Sequence, residues 1–377
     1  MLRNPTAQVT PPEGRIELAI GQPDPELLPT GLFHHLQSGR DYLAYGAEQG
    51  DGLFRSALAT WLSGHYGQPV NANALMITNG SSNALNMICQ RFCQPGDAVL
   101  VEDPTYFIAR RQLAERGLRV IGVPMDGDGV IIEALEELVS QHQPAFFYTI
   151  PSFHNPTGVN LSAARRSMLL ELSARTGCLV VSDDVYQLLY FDQQPPPPLV
   201  REDDSARVLS IGSFSKILAP GLRLGWIQGA PELLDPLTTS ALLDSGGGLN
   251  PFTSGLVRPL IEDGRLDDYL SALQLVYRQR RDALVQALEE ELSDLVAFQR
   301  PAGGFFIWAS LLKGRASDLL PRARRRGVGF LPGERCTDSA HHDRAMRLCF
   351  AYYDEPALTL ACRRLRAAIE NDRSLGA

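Results

Sequence analysis

Hydrophobic positions along the chain follow two periods that take turns. Short continuous apolar runs at 75–78, 98–102, 119–123, 145–150, 178–182, 207–212 and 224–229 predict buried strands. Between them, apolar residues recur at helical spacing near 82–92, 105–116, 133–141, 162–176 and 231–242. An earlier helical pattern passes through Phe54, Leu58, Trp61 and Leu62. Strands and helices in alternation predict an α/β fold, a mostly parallel seven-stranded sheet with helices on both faces. From Asp267 a helical pattern runs to about Leu292, long enough to bridge two domains. Beyond it the character changes. Strand candidates at 296–299, 304–310, 328–331 and 345–351 mix with helices near 316–326 and 355–371, and Asp354 is placed to cap the last helix with Pro356 in its first turn. This reads as a smaller α+β domain. The expected division is an N-terminal arm at 1–30, a large domain at 31–265 and a small domain at 266–377. The arm carries eight Pro and Gly residues and little periodicity, and Pro195 to Pro198 mark an exposed loop.

Candidate chemistry collects where the apolar runs end. In a sheet of this kind ligands bind beyond the carboxyl ends of the strands. After run 207–212 come Ser213, Phe214, Ser215 and Lys216; a Pro220-Gly221 pair turns the chain, and Arg223 precedes the next run. A lysine flanked by apolar residues loses its proton more easily than one in water and can act as an amine nucleophile. Ser213, Ser215 and Arg223 together suit a phosphate. One lysine beside one phosphate site points to pyridoxal phosphate held as a Schiff base.

Other strand ends fit the same ligand, each with a plainer reading beside it. Thr78-Asn79-Gly80-Ser81-Ser82 opens a helix; Gly80 permits close approach and the free N–H groups attract an anion, although serines are also common helix caps. Tyr106 can stack on a planar cofactor or simply pack. In Pro151-Ser152-Phe153-His154-Asn155-Pro156-Thr157-Gly158, two prolines and a glycine hold Asn155 so that its amide can donate to a ring oxygen. His154 either lines the wall there or serves as a base. A carboxylate at a buried strand end is expensive to ionise unless it meets a cation, and a pyridinium nitrogen is such a cation. Asp183 is the first choice for that role and Asp184 its structural neighbour. Tyr186, one helical turn on from Asp183, can reach the same ligand edge. In 345–351, Met346, Leu348 and Phe350 share one face and leave Arg347 on the other. Arg347 then needs an anion, either a bidentate carboxylate from a substrate or a structural salt bridge. In the arm, Ile20-Gly21-Gln22-Pro23 is a turn where bare backbone can approach a ligand.

Composition narrows the partners. With 44% hydrophobic and 21% charged residues the chain has the make-up of a globular protein, and its 377 residues exceed one compact core. A net charge of -8 argues against nucleic acid; Arg322 to Arg326 read as an exposed helix face or end. Six cysteines are scattered. Cys89 and Cys93 can share a helix face, but no second pair completes a metal site, so no metal is expected and the thiols read as reduced packing residues. The first residues lack the apolar core of a signal peptide, and no stretch is apolar for the ~20 residues that cross a membrane. A cytoplasmic location without a membrane partner is expected.

With these residues assembled, the chain resembles the fold-type I pyridoxal-phosphate aminotransferases of class I/II over nearly its whole length, from Gly21 to the last helix. The resemblance is carried by Ser213-Phe214-Ser215-Lys216 with Pro220-Gly221-Leu222-Arg223-Leu224-Gly225-Trp226, by Asn155-Pro156-Thr157-Gly158, and by Asp183 with Tyr186. It implies that Lys216 is the Schiff-base lysine and moves the substrate's α-proton, and that Asp183 partners the ring nitrogen. Asn155 and Tyr186 would meet the phenolic oxygen and Tyr106 would stack. Gly80, Ser81, Ser82, Ser213, Ser215 and Arg223 would form the phosphate cup. Arg347, with Asn155 and the backbone near Gly21, would clamp the α-carboxylate. Tyr45 resembles the tyrosine that reaches the partner subunit's phosphate, which implies a homodimer with shared active sites. The subgroup implied is the aminoadipate/kynurenine type, related to the C-terminal half of MocR-type regulators. Two departures stand out: the arm lacks paired glycines, and Ser245-Gly246-Gly247-Gly248-Leu249-Asn250 is unusually glycine-rich, implying a roomy or mobile pocket if it borders the site. The implied activity is transfer of the amino group of an L-amino acid to a 2-oxo acid by a ping-pong mechanism. A lyase, decarboxylase or oxidase on the same fold would share these motifs. A non-catalytic, pyridoxal-phosphate-binding sensor fits less well, because about 30 residues precede the matched region, too few for a DNA-binding domain, and the charge is wrong for DNA.

Overall fold

Seven of the apolar runs become neighbouring strands of one sheet in the computed structural model, which describes residues 8–34 and 40–370. In chain order the first part contains β1 (Ile16–Glu17), α1 (Thr30–Phe33), α2 (Gly52–Tyr66), β2 (Leu75–Thr78), α3 (Ser81–Phe92), β3 (Ala98–Asp103), α4 (Phe107–Glu115) and β4 (Arg119–Asp126). It continues with β5 (Gly129–Val130), α5 (Ile132–His142), β6 (Phe146–Thr149), α6 (Ala163–Thr176), β7 (Leu179–Asp183), β8 (Val208–Ser213) and β9 (Gly225–Gln228). The sheet order is β2-β9-β8-β7-β6-β3-β4-β5. The pairs from β8 through β4 are parallel, whereas β9 runs antiparallel to both its neighbours and β5 folds back on β4. The sheet thus has eight strands rather than seven. The extra one, β5, is two residues long and leaves no apolar run to read.

Both faces of the sheet are covered, which is why its strands read as continuous apolar runs rather than alternating ones. Val99, Val101, Phe146, Tyr148, Val181 and Leu209 enter one core, while Leu100, Phe147, Val180 and Val208 enter a second on the opposite face.

After β9 come α7 (Pro231–Thr238), α8 (Ala241–Gly246), α9 (Pro251–Glu262) and the 28-residue α10 (Arg265–Leu292). The single helix expected at 231–242 is two, broken at Thr239 and restarted at Ser240, whose hydroxyl accepts from Leu243 N. Helix α9 escaped the periodicity because Pro251, Gly255 and Pro259 interrupt it. Gly255 is needed there, since a Cβ would lie 2.6 Å from the Tyr42 ring.

The last part holds β10 (Val296–Phe298), β11 (Phe306–Leu311), α11 (Ala316–Arg325), β12 (Val328–Gly329), β13 (Leu331–Pro332), β14 (Ala345–Cys349) and α12 (Glu355–Glu370). Strands β10-β11-β14-β13 form an antiparallel sheet. The expected strand at 328–331 is split, because β12 leaves this sheet and pairs in parallel with β1. The N-terminal stretch is therefore more than an extended arm; it contributes a strand. Asp354 caps α12 as expected, accepting from Ala357 N at 3.1 Å. Two buried arginines tie α10 to its surroundings: Arg280 to Asp24 at 2.7 Å and Arg281 to Asp192 at 2.5 Å. Among the described residues no helix is long and apolar enough to cross a membrane.

Candidate active site

The lysine turn is built by packing on its apolar members. Phe214 N donates to Leu224 O at 3.0 Å, and the buried Phe214 ring meets Phe54, Trp61 and Trp226. Trp226 lies flat against Gly212, where a Cβ would come within 2.0 Å of the indole, so the glycine that precedes the motif is a packing requirement. With Phe214 locked inward, Ser213 ends β8 and Ser215 and Lys216 are carried past it. The Lys216 ammonium donates to Gly21 O at 3.1 Å and lies 5.4 Å from the Phe305 ring and 6.0 Å from the Tyr186 ring. Loss of hydration in these surroundings lowers its pKa to about 8; among the smaller influences, Cys349 and Asp183 oppose that shift while Arg347 and Arg223 assist it.

Asp183 ends β7, the strand beside β8. Burial raises its carboxyl to about pH 6, while a 2.6 Å hydrogen bond from the Tyr148 hydroxyl to Oδ2 holds it down in part. Oδ1 is buried without a partner. Asp184 points elsewhere: it accepts from Ser182 and from Ser210, a structural role as anticipated. Tyr186 is buried in a turn rather than a helix, its ring edge-on to Phe305 and Phe306.

Arg347 is 2% exposed on β14, stacked 4.1 Å over the Phe306 ring. It donates to Asn155 Oδ1 at 2.8 Å and Ala19 O at 2.9 Å, and Nε is buried without a partner. Among the described residues no carboxylate pairs with it, so the structural salt bridge is absent. Because a guanidinium only donates, Asn155 must turn its oxygen to Arg347, which leaves its NH₂ for another acceptor. Gly21 sits against the same pair: a Cβ there would lie 2.9 Å from Phe306 and 3.4 Å from Arg347 Nη2.

A second cluster lies beside Lys216. Ser213 Oγ donates to Ser215 Oγ at 3.0 Å and accepts from Ser215 N at 3.1 Å. Arg223, at φ +48, reaches Pro220 O and Asn79 O, both at 3.2 Å. Gly80 lies under it; a Cβ would come within 2.7 Å of Arg223 Nη2, and φ +83 is a conformation other residues rarely adopt. Helix α3 begins at Ser81 and Ser82, next to Gly80, with no side-chain cap, and its first N–H groups have no intrahelical partner. Asn250 braces the turn by donating to Arg223 O and to Thr78 O. In the glycine-rich run before it, a Cβ on Gly247 would lie 2.5 Å from Gly46 O and one on Gly248 1.8 Å from Ala47 O, whereas one on Gly246 would meet nothing within 4 Å.

Tyr106 opens α4, half-buried, with its hydroxyl pushed upward by burial and by Asp183. Tyr45 lies apart from these residues, 85% exposed and backed by Gly247. His154 is buried: Nε2 is 3.0 Å from buried Glu102, and Nδ1 is 2.8 Å from Thr157 Oγ1. Glu102 also accepts from Thr149 Oγ1 and Ile150 N, and so fastens the Asn155 loop to β3. The sequence reading missed Tyr148 and Glu102. For Tyr148 the available signal was a phenol inside a continuous apolar strand, whose hydroxyl must find a partner.

A lysine just past β8, an unpaired carboxylate oxygen at the end of β7, an unpaired arginine nitrogen in the middle of β14 and the Ser213, Ser215 and Arg223 cluster beside the start of α3 thus lie near one another. Comparison with known proteins gives this arrangement a lineage. The model of aminotransferase class I and II matches residues 13–365. Aromatic-amino-acid aminotransferase 1 of Thermococcus litoralis is 34% identical over 371 residues, covering 95% of this chain and 88% of that protein. The HTH-type transcriptional regulator YisV of Bacillus subtilis is 31% identical over 79% of this chain, but the match spans 62% of the regulator. The crystal structure of the α-aminoadipate aminotransferase of Thermus thermophilus, complexed with N-(5′-phosphopyridoxyl)-L-leucine, has a TM-score of 0.87 at 32% identity, covering 96% of this chain and 94% of that one. Sequence, fold and relatives agree, and the chain belongs to the class I and II aminotransferases, enzymes of amino-group transfer.

Proposed function

We propose that the chain is a pyridoxal-phosphate-dependent transaminase that passes the amino group of an L-amino acid to a 2-oxo acid by a ping-pong sequence. The observation that carries this reading is the pairing of Lys216 with the unpartnered Asp183 Oδ1 at neighbouring strand ends. The donor set fits the cofactor: a carboxylate for its ring nitrogen, an amine for its aldehyde, and backbone N–H groups with Ser213, Ser215 and Arg223 for its phosphate. Bound there, pyridoxal phosphate supplies an electron-withdrawing ring that makes the substrate's Cα–H acidic.

The chain's own residues do the rest. Lys216 Nζ, already inclined to the neutral amine, takes and returns the proton at the substrate's Cα. Asp183 keeps the ring nitrogen protonated. Asn155 Nδ2 and Tyr186 Oη hold the phenolic oxygen, Tyr106 covers the ring face, and Ser81 and Ser82 complete the phosphate cup. Arg347 binds the substrate's α-carboxylate, with Asn155 and the Gly21 backbone beside it; its lack of a carboxylate partner supports that role. The exposed Tyr45 is proposed to reach the phosphate of a second copy in a homodimer. Support comes from Leu43, Leu53, Leu242 and Phe252, large apolar residues exposed on the segments around it.

A panel of amino acids added to the holoenzyme tests the reaction. Expected is loss of the cofactor's visible absorption band with a reactive donor, and its return with a 2-oxo acid. Release of pyruvate or carbon dioxide without that cycle would assign a lyase or decarboxylase instead. If no donor changes the band, the transaminase reading fails.

A further inference from the structure

Tyr148 lies on β6 opposite Val181 of β7, two residues before Asp183 on the same face. It is fully buried, and its hydroxyl donates to Asp183 Oδ2 at 2.6 Å. Asp183 therefore presents its two oxygens unequally: one is engaged from below the site, and the other is buried and unpartnered.

Resting on the pyridoxal phosphate reading above, we propose that Tyr148 is a positioning residue for the cofactor's ring. Its hydroxyl pins Oδ2 of Asp183, so that Oδ1 is aimed at the pyridinium nitrogen and the carboxylate stays charged. The reasoning is geometric first. The carboxylate torsion of an aspartate is broad and roughly two-fold, so an unpinned group would present either oxygen at varied angles. One strong, short hydrogen bond to a charged acceptor removes that freedom. The electrostatic argument points the same way. The groups that face Asp183 are Tyr148 from β6, Asp184 and the Val185 N–H beside it, Lys216 beyond β8, and Tyr106 and Tyr186 from the turns above. Burial and Asp184 push its carboxyl toward the neutral form; the Tyr148 hydrogen bond is the largest influence in the other direction, ahead of Lys216. The ion pair with the ring therefore draws on a tyrosine that never touches the cofactor.

The test compares Tyr148→Phe with the wild type, measuring the dissociation constant of pyridoxal phosphate from the protein across pH 5.5 to 8.5 (about the range in which Asp183 and Lys216 titrate). Expected is roughly tenfold weaker binding near neutrality, with the acid limb of the affinity profile displaced to higher pH. Replacing Tyr148 by 3-fluorotyrosine, a stronger hydroxyl donor, moves that limb the other way and keeps the test decisive if the phenylalanine variant folds poorly. Phe147→Leu removes buried bulk from the opposite face of the same strand; it lowers the melting temperature without moving the limb. An unchanged profile in both Tyr148 variants, or an equal displacement in Phe147→Leu, overturns the inference. Should the wild-type protein take up no pyridoxal phosphate, the cofactor reading fails first and this inference with it.

Discussion

The two ends of the candidate site are built on opposite principles. At the proposed phosphate end, Ser213, Ser215, Arg223, Asn79 and Asn250 satisfy one another by hydrogen bonds, and Arg223 is exposed. At the ring end, burial drives both key charges toward neutrality: the Asp183 carboxyl to about pH 6 and the Lys216 ammonium to about 8. An anion site made of backbone and flexible cations can fold by itself and accept phosphate by exchange of partners. A buried carboxylate cannot: Lys216 offsets its charge only in part, and Oδ1 gains a direct partner only when a cation arrives. The phosphate end should therefore act almost wholly on how tightly the cofactor is held, whereas the ring end should act on affinity to a smaller degree and chiefly on how fast the reaction runs.

The largest break of this division is Lys216→Ala. With no amine at the substrate's Cα, turnover should fall by roughly 10²- to 10⁴-fold, the usual worth of a positioned acid–base group, or more. Cofactor retention, followed by absorbance after gel filtration, should fall far less. Substantial residual transamination in this variant would sink the assignment of Lys216.

Asp183→Asn comes next and tests the cost of the buried charge directly. Its folded pKa lies above that of an ordinary carboxylate, so the native protein binds more protons than the unfolded chain between about pH 4 and 6. Stability of the cofactor-free protein should then decline as pH rises through that window and stay level above it. Ionised at pH 7, this buried group costs on the order of 3 kcal/mol. The asparagine variant should melt higher at pH 7 without cofactor and lose the slope, while turnover drops by about 10²-fold or more. A cofactor-free variant that melts no higher would contradict the charge account.

How much of this was legible in the sequence follows the same division. Elements that bury apolar runs on both faces were readable, because β2, β3, β6, β7, β8 and β9 carry nearly unbroken hydrophobic stretches. Lys216, Asp183, Asn155 and Arg347 were readable because each stands just past, or inside, such a run where a polar group needs a reason. What escaped depended on partners far along the chain. Helix α9 hides its period behind two prolines and a glycine that serves Tyr42. The strand expected at 328–331 divides because Ile16 and Glu17, more than 300 residues away, claim half of it. Tyr148 read as one more apolar residue of a buried strand, since its hydroxyl's partner lies 35 positions on.

At the phosphate end the expected effects are smaller and fall on affinity. Arg223→Ala should weaken cofactor binding by roughly 10- to 100-fold, the worth of a hydrogen bond to a charged group. Turnover at saturating cofactor should change by only a few-fold. A collapse of turnover at saturation would show that Arg223 acts on the ring and erase the contrast between the two ends.

Gly80→Ala sharpens the same point with the smallest expected effect. The new methyl would lie 2.7 Å from Arg223 Nη2, but that atom is the far end of a flexible side chain and can withdraw. Two consequences remain: strain at φ +83 and ψ 172, a region populated essentially by glycine, worth about 1–3 kcal/mol of stability, and a displaced guanidinium. The displacement should weaken the cofactor roughly fivefold, within the loss expected from removing the guanidinium altogether. Because that loss passes through Arg223, it should nearly vanish when Gly80→Ala is introduced into Arg223→Ala, while the stability loss persists. Additive effects on cofactor affinity would instead place the methyl in the phosphate's own path, making the backbone at α3 the principal holder of the anion and Arg223 its accessory.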